Sequence, residues 1–408
     1  MVKQDDFGVE QFMDKYETNI TNNMGETCSE SISISQLIDL IYDNNDAVDV
    51  THKDAQRTKI IDAVLNSKLT YGHIRGSPEL KSAISVLYNQ DSPLVPITEE
   101  NIVITNGAIG GNFLTFYSIV NPNDKIIVVS PTYQQLSSVP GVFSQSQDNI
   151  IPFKLDFDQG FLPDLDLLQQ LIKKHFPKLL VINNPNNPTG VVWKDEIIRE
   201  IVSICQEKDI WIMCDEVYRP LYHSIEEKDK PKSIVNYGYN KTISTGSASK
   251  AFSLAGLRIG WIVTRNNALI NDLFSKRDYN TISISMIDDI LATFALQNYK
   301  IILRRNFELC LNNLEELEKF IINSDGLFSW VKPNGGTTCF IKINIKNVDT
   351  FKLCSDLAEH GTLCVPGEVF DNNQGFVRIG FGNSGTDIVN GISQLDKWVR
   401  KLPTQEPN

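Results

Sequence analysis

Between residues 100 and 265 short apolar, β-branched runs alternate with helical or loop lengths of chain. The runs cover 102–105, 125–129, 179–182, 210–213, 242–244 and 259–263. Runs this short, without polar alternation, predict a mostly parallel sheet covered by helices on both faces. In such sheets ligands gather beyond the C-terminal ends of the strands. The polar, chemically capable residues fall there: Asn106-Gly107, Pro131-Thr132-Tyr133, residues 183–190, Asp215, and Ser247 to Lys250. Five strand ends directed at one place predict a single site.

The flanks carry a different period. Val9, Phe12, Met13 and Tyr16 fall at i, i+3, i+4 and i+7, which predicts a short amphipathic helix, either packed on the core or serving as a dimer arm. Ser33 and Gln36 fit a capping box that opens a helix through 37–42. Ile60, Ile61, Val64 and Leu65 mark another helical stretch, and Ser77-Pro78 is an N-cap and first residue for a helix carrying Leu80, Ile84 and Leu87. Beyond about residue 290, Phe307, Cys310, Leu311, Leu314, Leu317 and Ile321 predict a long connecting helix. Strand-like 338–345, a helix near 350–359, strand-like 376–381 and an amphipathic C-terminal helix follow. The expected organisation is an N-terminal arm (1–50) returning to a small α+β domain (296–408), with a large α/β domain between them (51–295).

At 408 residues the chain has room for two cores. Its net charge of −12 disfavours nucleic acid and anionic membranes as partners. The start, Met-Val-Lys-Gln-Asp-Asp, carries no signal or transit pattern, and no apolar run nears the roughly 20 residues needed to span a bilayer. Seven cysteines without a Cys-x-x-Cys, and five scattered histidines, predict free thiols, a cytoplasmic location and no metal.

Three stretches carry chemistry. Lys250 lies among Gly246, Ser247, Ala248, Ser249 and Ala251, with Arg258 eight residues on. A lysine beside anion-binding groups suits a Schiff base with pyridoxal phosphate; a surface lysine in a Ser/Gly loop is the plainer reading. Residues 183–190, Asn-Asn-Pro-Asn-Asn-Pro-Thr-Gly, form a turn able to fix the Asn187 amide, or simply a loop of favourable turn residues. Asp215 ends an apolar run, where an unpaired carboxylate costs about 3–5 kcal/mol. A protonated pyridine nitrogen would pair it; so would a structural arginine. Tyr218 follows three residues later.

Taken together, 183–190, Asp215-Glu216-Val217-Tyr218 and Ser247-x-Ser249-Lys250 with Arg258 resemble the class I/II aminotransferases, fold-type-I pyridoxal-phosphate enzymes. The spacings of 28 residues from Asn187 to Asp215 and 35 from Asp215 to Lys250 agree. So do Tyr71-Gly-x-x-x-Gly76, Asn106-Gly107-Ala108, Pro131-x-Tyr133, Pro333-x-Gly335-Gly336, Pro366-Gly367 with Phe370, and Arg378-Ile379-Gly380, so the resemblance spans essentially the whole chain. It implies a seven-stranded, mostly parallel sheet in the large domain. It implies Lys250 as Schiff-base lysine and proton carrier, Asp215 on the pyridinium, Asn187 and Tyr218 on the ring 3-oxygen, and Tyr133 on the ring face. Gly107, Ala108 and Ile109 would offer backbone N–H groups to the phosphate, helped by Ser247, Ser249 and Arg258. Tyr71 would reach the phosphate of the other subunit of a homodimer, and Arg378 would grip the substrate α-carboxylate.

Two departures stand out. Position 109 is Ile where many relatives place a hydroxyl or amide. The N-terminal substrate loop, Asn23-Met-Gly-Glu-Thr-Cys-Ser-Glu30, aligns only through Gly25. That segment and 71–78 are more similar to the branch containing capreomycidine synthase and related arginine-modifying enzymes. The expected activity is transfer of an amino group from an L-amino acid to a 2-oxo acid. The alternative is a lyase, cyclase or oxidase acting on a cationic, arginine-like amino acid, for which Glu26 is the residue to watch. A catalytically silent binding protein is disfavoured because Lys250 and Asp215 are both retained.

Overall fold

A computed structural model describes residues 4–43 and 50–402. Seven strands form the main sheet: β1 (Ile102–Asn106), β2 (Ile126–Ser130), β3 (Ile150–Lys154), β4 (Leu179–Asn183), β5 (Trp211–Asp215), β6 (Thr242–Ser247) and β7 (Ile259–Val263). Their order across the sheet is β1-β7-β6-β5-β4-β2-β3, and only β7 runs against its neighbours. Both faces are buried. Ile102 and Ile104 join one apolar core while Val103 joins another, and Ile127 and Val129 are likewise divided from Ile126 and Val128. Two-sided burial, at about 1.5–3 kcal/mol per large aliphatic side chain, is why these strands read as unbroken apolar runs.

The strand of this sheet missed in the sequence is β3. It lies at the sheet edge, carries Pro152 and is largely half-exposed, so neither an apolar run nor clean alternation marks it.

A second sheet, ordered β10-β11-β9-β8, comprises β8 (Phe328–Trp330), β9 (Thr338–Ile343), β10 (Val365–Pro366) and β11 (Phe376–Gly380). The N-terminal segment runs alongside it. Asn22–Asn23 pairs in parallel with Thr362–Leu363, and Gly380 N–H donates to the Met24 carbonyl at 2.8 Å. Helix α1 (Gly8–Tyr16) buries Val9, Phe12, Met13 and Tyr16. The capping box is present: Ser33 N–H donates to Gln36 Oε1 at 2.8 Å, and Gln36 N–H to Ser33 Oγ at 3.1 Å. Ser77 Oγ accepts from Leu80 N–H as the expected N-cap. In the helix Val50–Leu65, Ile61 and Leu65 of the predicted stripe remain exposed, so that stripe is not a core face of this chain. The expected boundary at residue 50 adjoins 44–49, which lie outside the described residues. All seven cysteines are free and buried. Among the described residues no helix is long and apolar enough to cross a membrane.

Candidate active site

The parallel register aligns Asn183, Asp215 and Thr245 at the C-terminal ends of β4, β5 and β6. A cavity of about 430 Å³ opens there. It gathers Ala108, Ile109, Tyr133, Asn187, Asp215, Tyr218, Ser247, Ser249, Lys250, Arg258, Arg378 and Gly25 from the expected residues. Two expected residues are not on its wall. Tyr71 is 70 % exposed and sits by Ser283 and Ser285, away from this cavity.

Gly107 is the other. Its N–H already donates to the Arg258 carbonyl at 2.7 Å, which corrects the expectation of a free donor at this position. Its part is shape: φ is +67°, and a Cβ would sit 2.8 Å from Arg258 Nη2. The helix it opens, α2 (Gly107–Ile119), has no side-chain N-cap, leaving the amides of its first turn at the cavity end.

Asp215 is buried and, among the described residues, has no arginine partner. Its Oδ2 accepts from Asn112 Nδ2 at 2.9 Å and its Oδ1 from Val217 N–H at 3.1 Å. Asn112 is itself fixed, accepting from Thr245 Oγ1 at 2.7 Å and donating to Gln135 at 3.1 Å. Burial raises the Asp215 carboxyl above its ordinary range despite these two donors, so the site favours a cation beside it. The neighbouring Glu216 meets a separate buried network, taking Ser233 Oγ, Ser244 Oγ and Ile234 N–H, each at 2.7 Å.

Asn187 is buried. Its N–H donates to Asn183 Oδ1 at 2.6 Å, and its Oδ1 faces Arg378 Nη1 at 3.4 Å. Arg378, only 3 % exposed, donates from Nη2 to the Gly25 carbonyl at 2.8 Å, while its Nε has no partner. A buried guanidinium on the cavity wall fits a carboxylate ligand.

Lys250 Nζ donates to Thr27 Oγ1 at 2.7 Å, contacts Cys28 Sγ at 3.3 Å and pairs with Glu26 at 3.6 Å. Burial would lower its pKa, but the Glu26 carboxylate beside it opposes this, and the ammonium is held above its ordinary range. Burial pushes the Cys28 thiol up to about 11, so it stays a thiol.

The loop bearing these groups folds on its own polar atoms. Asn23 Oδ1 accepts the Gly25 and Glu26 amides at 3.0 Å each, and Glu26 Oε1 those of Thr27 and Cys28 at 2.6 Å. It crosses so close over β11 that a Cβ at Gly380 would lie 1.8 Å from the Glu26 carbonyl oxygen.

The sequence reading missed Asn112, Thr27, Cys28 and the cavity role of α1. Asn112 had a signal, being an amide within the otherwise apolar run of α2. Helix α1 had none: its Val9, Glu10 and Met13 line the cavity, and Glu10 Oε1 accepts from the Tyr133 hydroxyl at 3.0 Å.

Residues 42–392 match the family model described as aminotransferase class I and II. The chain belongs to this family. Its members use pyridoxal 5′-phosphate, and the residues here suit that group: a helix start with uncapped amides, a lysine, and a buried carboxylate at the strand ends. Among solved structures, a PLP-dependent aminotransferase from Streptococcus suis 89-1591 is 33 % identical with a TM-score of 0.86, covering 100 % of both chains. Capreomycidine synthase of Streptomyces vinaceus is 28 % identical over 72 % of this chain and 74 % of its own. Aspartate aminotransferase of Pyrococcus horikoshii is also 28 % identical, over 79 % and 81 %.

Proposed function

We propose that this aminotransferase family member moves the amino group of an L-amino acid to a 2-oxo acid, using Lys250 as the cofactor-bearing residue. The observation that carries the reading is three ionisable groups in one cavity: Lys250, half-buried, with Asp215 and Arg378, both buried. Pyridoxal phosphate, when bound, supplies an electron sink that loosens the substrate Cα–H bond. Asp215, steadied by Asn112, keeps a proton on the ring nitrogen. Asn187 and Tyr218 hold the ring 3-oxygen, and Tyr133 covers the ring face. The Ala108 and Ile109 amides, Ser247, Ser249 and Arg258 hold the phosphate. Arg378 takes the α-carboxylate, with the Gly25 carbonyl and the Asn187 amide fixing its fork. Lys250, once free, carries the proton from Cα.

The same reading takes the working form as a cytoplasmic homodimer in which Tyr71 of each copy reaches the other's phosphate. It keeps the division into 51–295 and 296–408, with the arm 1–50. The exposure of Tyr71 and of the stripe Ile61 and Leu65 supports the dimer.

The test is a half-reaction screen of the cofactor-loaded chain against single L-amino acids, in air and without any 2-oxo acid. Conversion of the cofactor to its amine form with one oxo acid per site is the expected result. Product accumulating over many turnovers with the cofactor unchanged would replace this reading by elimination, cyclisation or oxidation. The likeness to capreomycidine synthase keeps that second reading open.

A further inference from the structure

We infer that residues 26–28 form a seat for the free amine of Lys250. Thr27 is the positioning residue in it, and its part is to favour displacement of the lysine by an incoming amine. This builds on the reading of Lys250 as the cofactor-bearing residue.

A free lysine ammonium presents three N–H groups and no acceptor. Three consecutive side chains of the loop surround it: Thr27 Oγ1 at 2.7 Å, Cys28 Sγ at 3.3 Å and Glu26 Oε1 at 3.6 Å. All three line the cavity, and Thr27 and Cys28 are buried. An amine turned from water into this place without acceptors would lose its hydrogen bonds with nothing in return. The seat is built rather than loosely laid. The Thr27 carbonyl accepts from Thr337 Oγ1 at 2.6 Å, and its N–H donates to Glu26 Oε1 at 2.6 Å. Ser29 N–H donates to the carbonyl of Lys250 itself at 3.1 Å. Backbone and amine of the lysine are therefore both tied to one loop, with Thr27 lying 223 residues away in sequence. Glu26, watched in the sequence for a substrate cation, has a nearer cation in Lys250. Having accepted from Lys250, the Thr27 hydroxyl keeps one proton to give, and the buried Tyr218 hydroxyl lies against it.

The step served is an exchange. An incoming amine adds to the carbon–nitrogen double bond that joins the cofactor to Lys250. A new carbon–nitrogen double bond forms to that amine as the old one breaks. The two N–H hydrogens of the incoming amine end on Lys250 Nζ, and no electrons are gained or lost. The attached nitrogen has at most one N–H to offer and the displaced one has three, so the seat favours the displaced side. Through its Gly25 carbonyl the same loop holds Arg378, which makes the carboxylate grip and the lysine seat one piece.

The test needs no knowledge of the natural substrate. The full chain loaded with pyridoxal phosphate is equilibrated with rising methylamine, which competes for the cofactor carbon without a carboxylate or side chain. Borohydride then fixes whichever bond is present, and mass spectrometry counts the chains carrying cofactor on Lys250. Thr27→Val keeps the shape and loses the hydroxyl, so half-displacement should need about tenfold more methylamine, with Thr27→Ser close to the parent. Glu26→Gln keeps an acceptor for the Thr27 and Cys28 amides, removes the charge, and should shift the midpoint the same way. The seat also steadies the lysine of the cofactor-free chain. Both the Val and the Gln variants should therefore hold pyridoxal phosphate at least as tightly as the parent, read by equilibrium dialysis. Weaker cofactor binding in both would mean a merely structural loop and would overturn the inference. So would midpoints unchanged in both variants, a Ser variant no better than Val, or a parent that methylamine never displaces. Cofactor fixed in the parent on another lysine, or on none, would sink the reading of Lys250 itself, and the seat with it.

Discussion

At one end of the cavity Asp215, Asn187 and Lys250 stand beyond adjacent strands, and sheet register alone sets Asn183, Asp215 and Thr245 side by side. At the other end, Gly25 and Arg378, 353 residues apart in sequence, are joined because an N-terminal loop is laid across β11. The first end is fixed by the large sheet, whose strands are buried on both faces. The second depends on how the first forty residues pack on the C-terminal sheet. Damage at the sheet end should therefore appear as lost cofactor, and damage at the loop end as lost substrate affinity with the cofactor retained.

The largest effect expected is from Lys250→Ala. Borohydride reduction followed by mass spectrometry should find no covalently attached cofactor in the variant and one per chain in the parent. Label appearing on another lysine would break the comparison at its root.

Asp215→Asn comes next. It removes the charge opposite the ring nitrogen, and cofactor affinity should fall by about 100-fold or more, read by equilibrium dialysis. Without cofactor the sign reverses. Burial raises the Asp215 pKa, so the folded state holds that proton more tightly than the unfolded chain. Stability from this group is present below the ordinary carboxylate range and is lost as pH rises through the raised value. The cofactor-free Asn variant should then melt higher than the parent at neutral pH, and the two should converge in acid.

Arg378→Lys tests the loop end. A lysine keeps the charge but cannot satisfy the Gly25 carbonyl, Asn187 and a carboxylate with one planar fork. KM should rise by about 30-fold or more, in line with the 2–5 kcal/mol carried by a buried charge-assisted pair. Cofactor affinity should stay near that of the parent; a parallel loss of cofactor would mean that the two ends are one unit.

The contrast also sets what could be read from the sequence. The sheet end was legible because strand ends recur at regular intervals and Asp215 and Lys250 stand out against apolar or small neighbours. The loop end was visible only as the residues Gly25, Glu26 and Arg378. Their meeting is a tertiary event, made by Asn23 folding the loop and by the room above Gly380, and no local period encodes it. Helix α1 is the sharpest case: Val9, Phe12, Met13 and Tyr16 gave its existence, while Glu10, between them, was an unremarked polar position that turns out to hold Tyr133. Strand β3 escaped because an edge strand with Pro152 lacks the apolar run that two-sided burial imposes.

The smallest effect expected lies in the layer behind the sheet end. Asn112 spans α2 and β5, taking Thr245 Oγ1 on its oxygen and giving its Nδ2 to Asp215 and Gln135. Asn112→Ala leaves the carboxylate with one donor, the Val217 amide, and strands the Thr245 hydroxyl in a buried site. Losing one hydrogen bond to a charged group costs about 1.5–3 kcal/mol. Cofactor affinity should therefore drop about tenfold, less than for Asp215→Asn, because the charge itself survives. The Asp215 pKa should rise further, moving the pH at which cofactor-free stability declines upward. Asn112→Asp would separate position from charge: it restores an acceptor for Thr245 but sets a second carboxylate against Asp215, and the two should then share a proton. If Asn112→Ala instead altered KM and left cofactor affinity untouched, Asn112 would belong to the substrate end, and the boundary between the two regions would have to be redrawn.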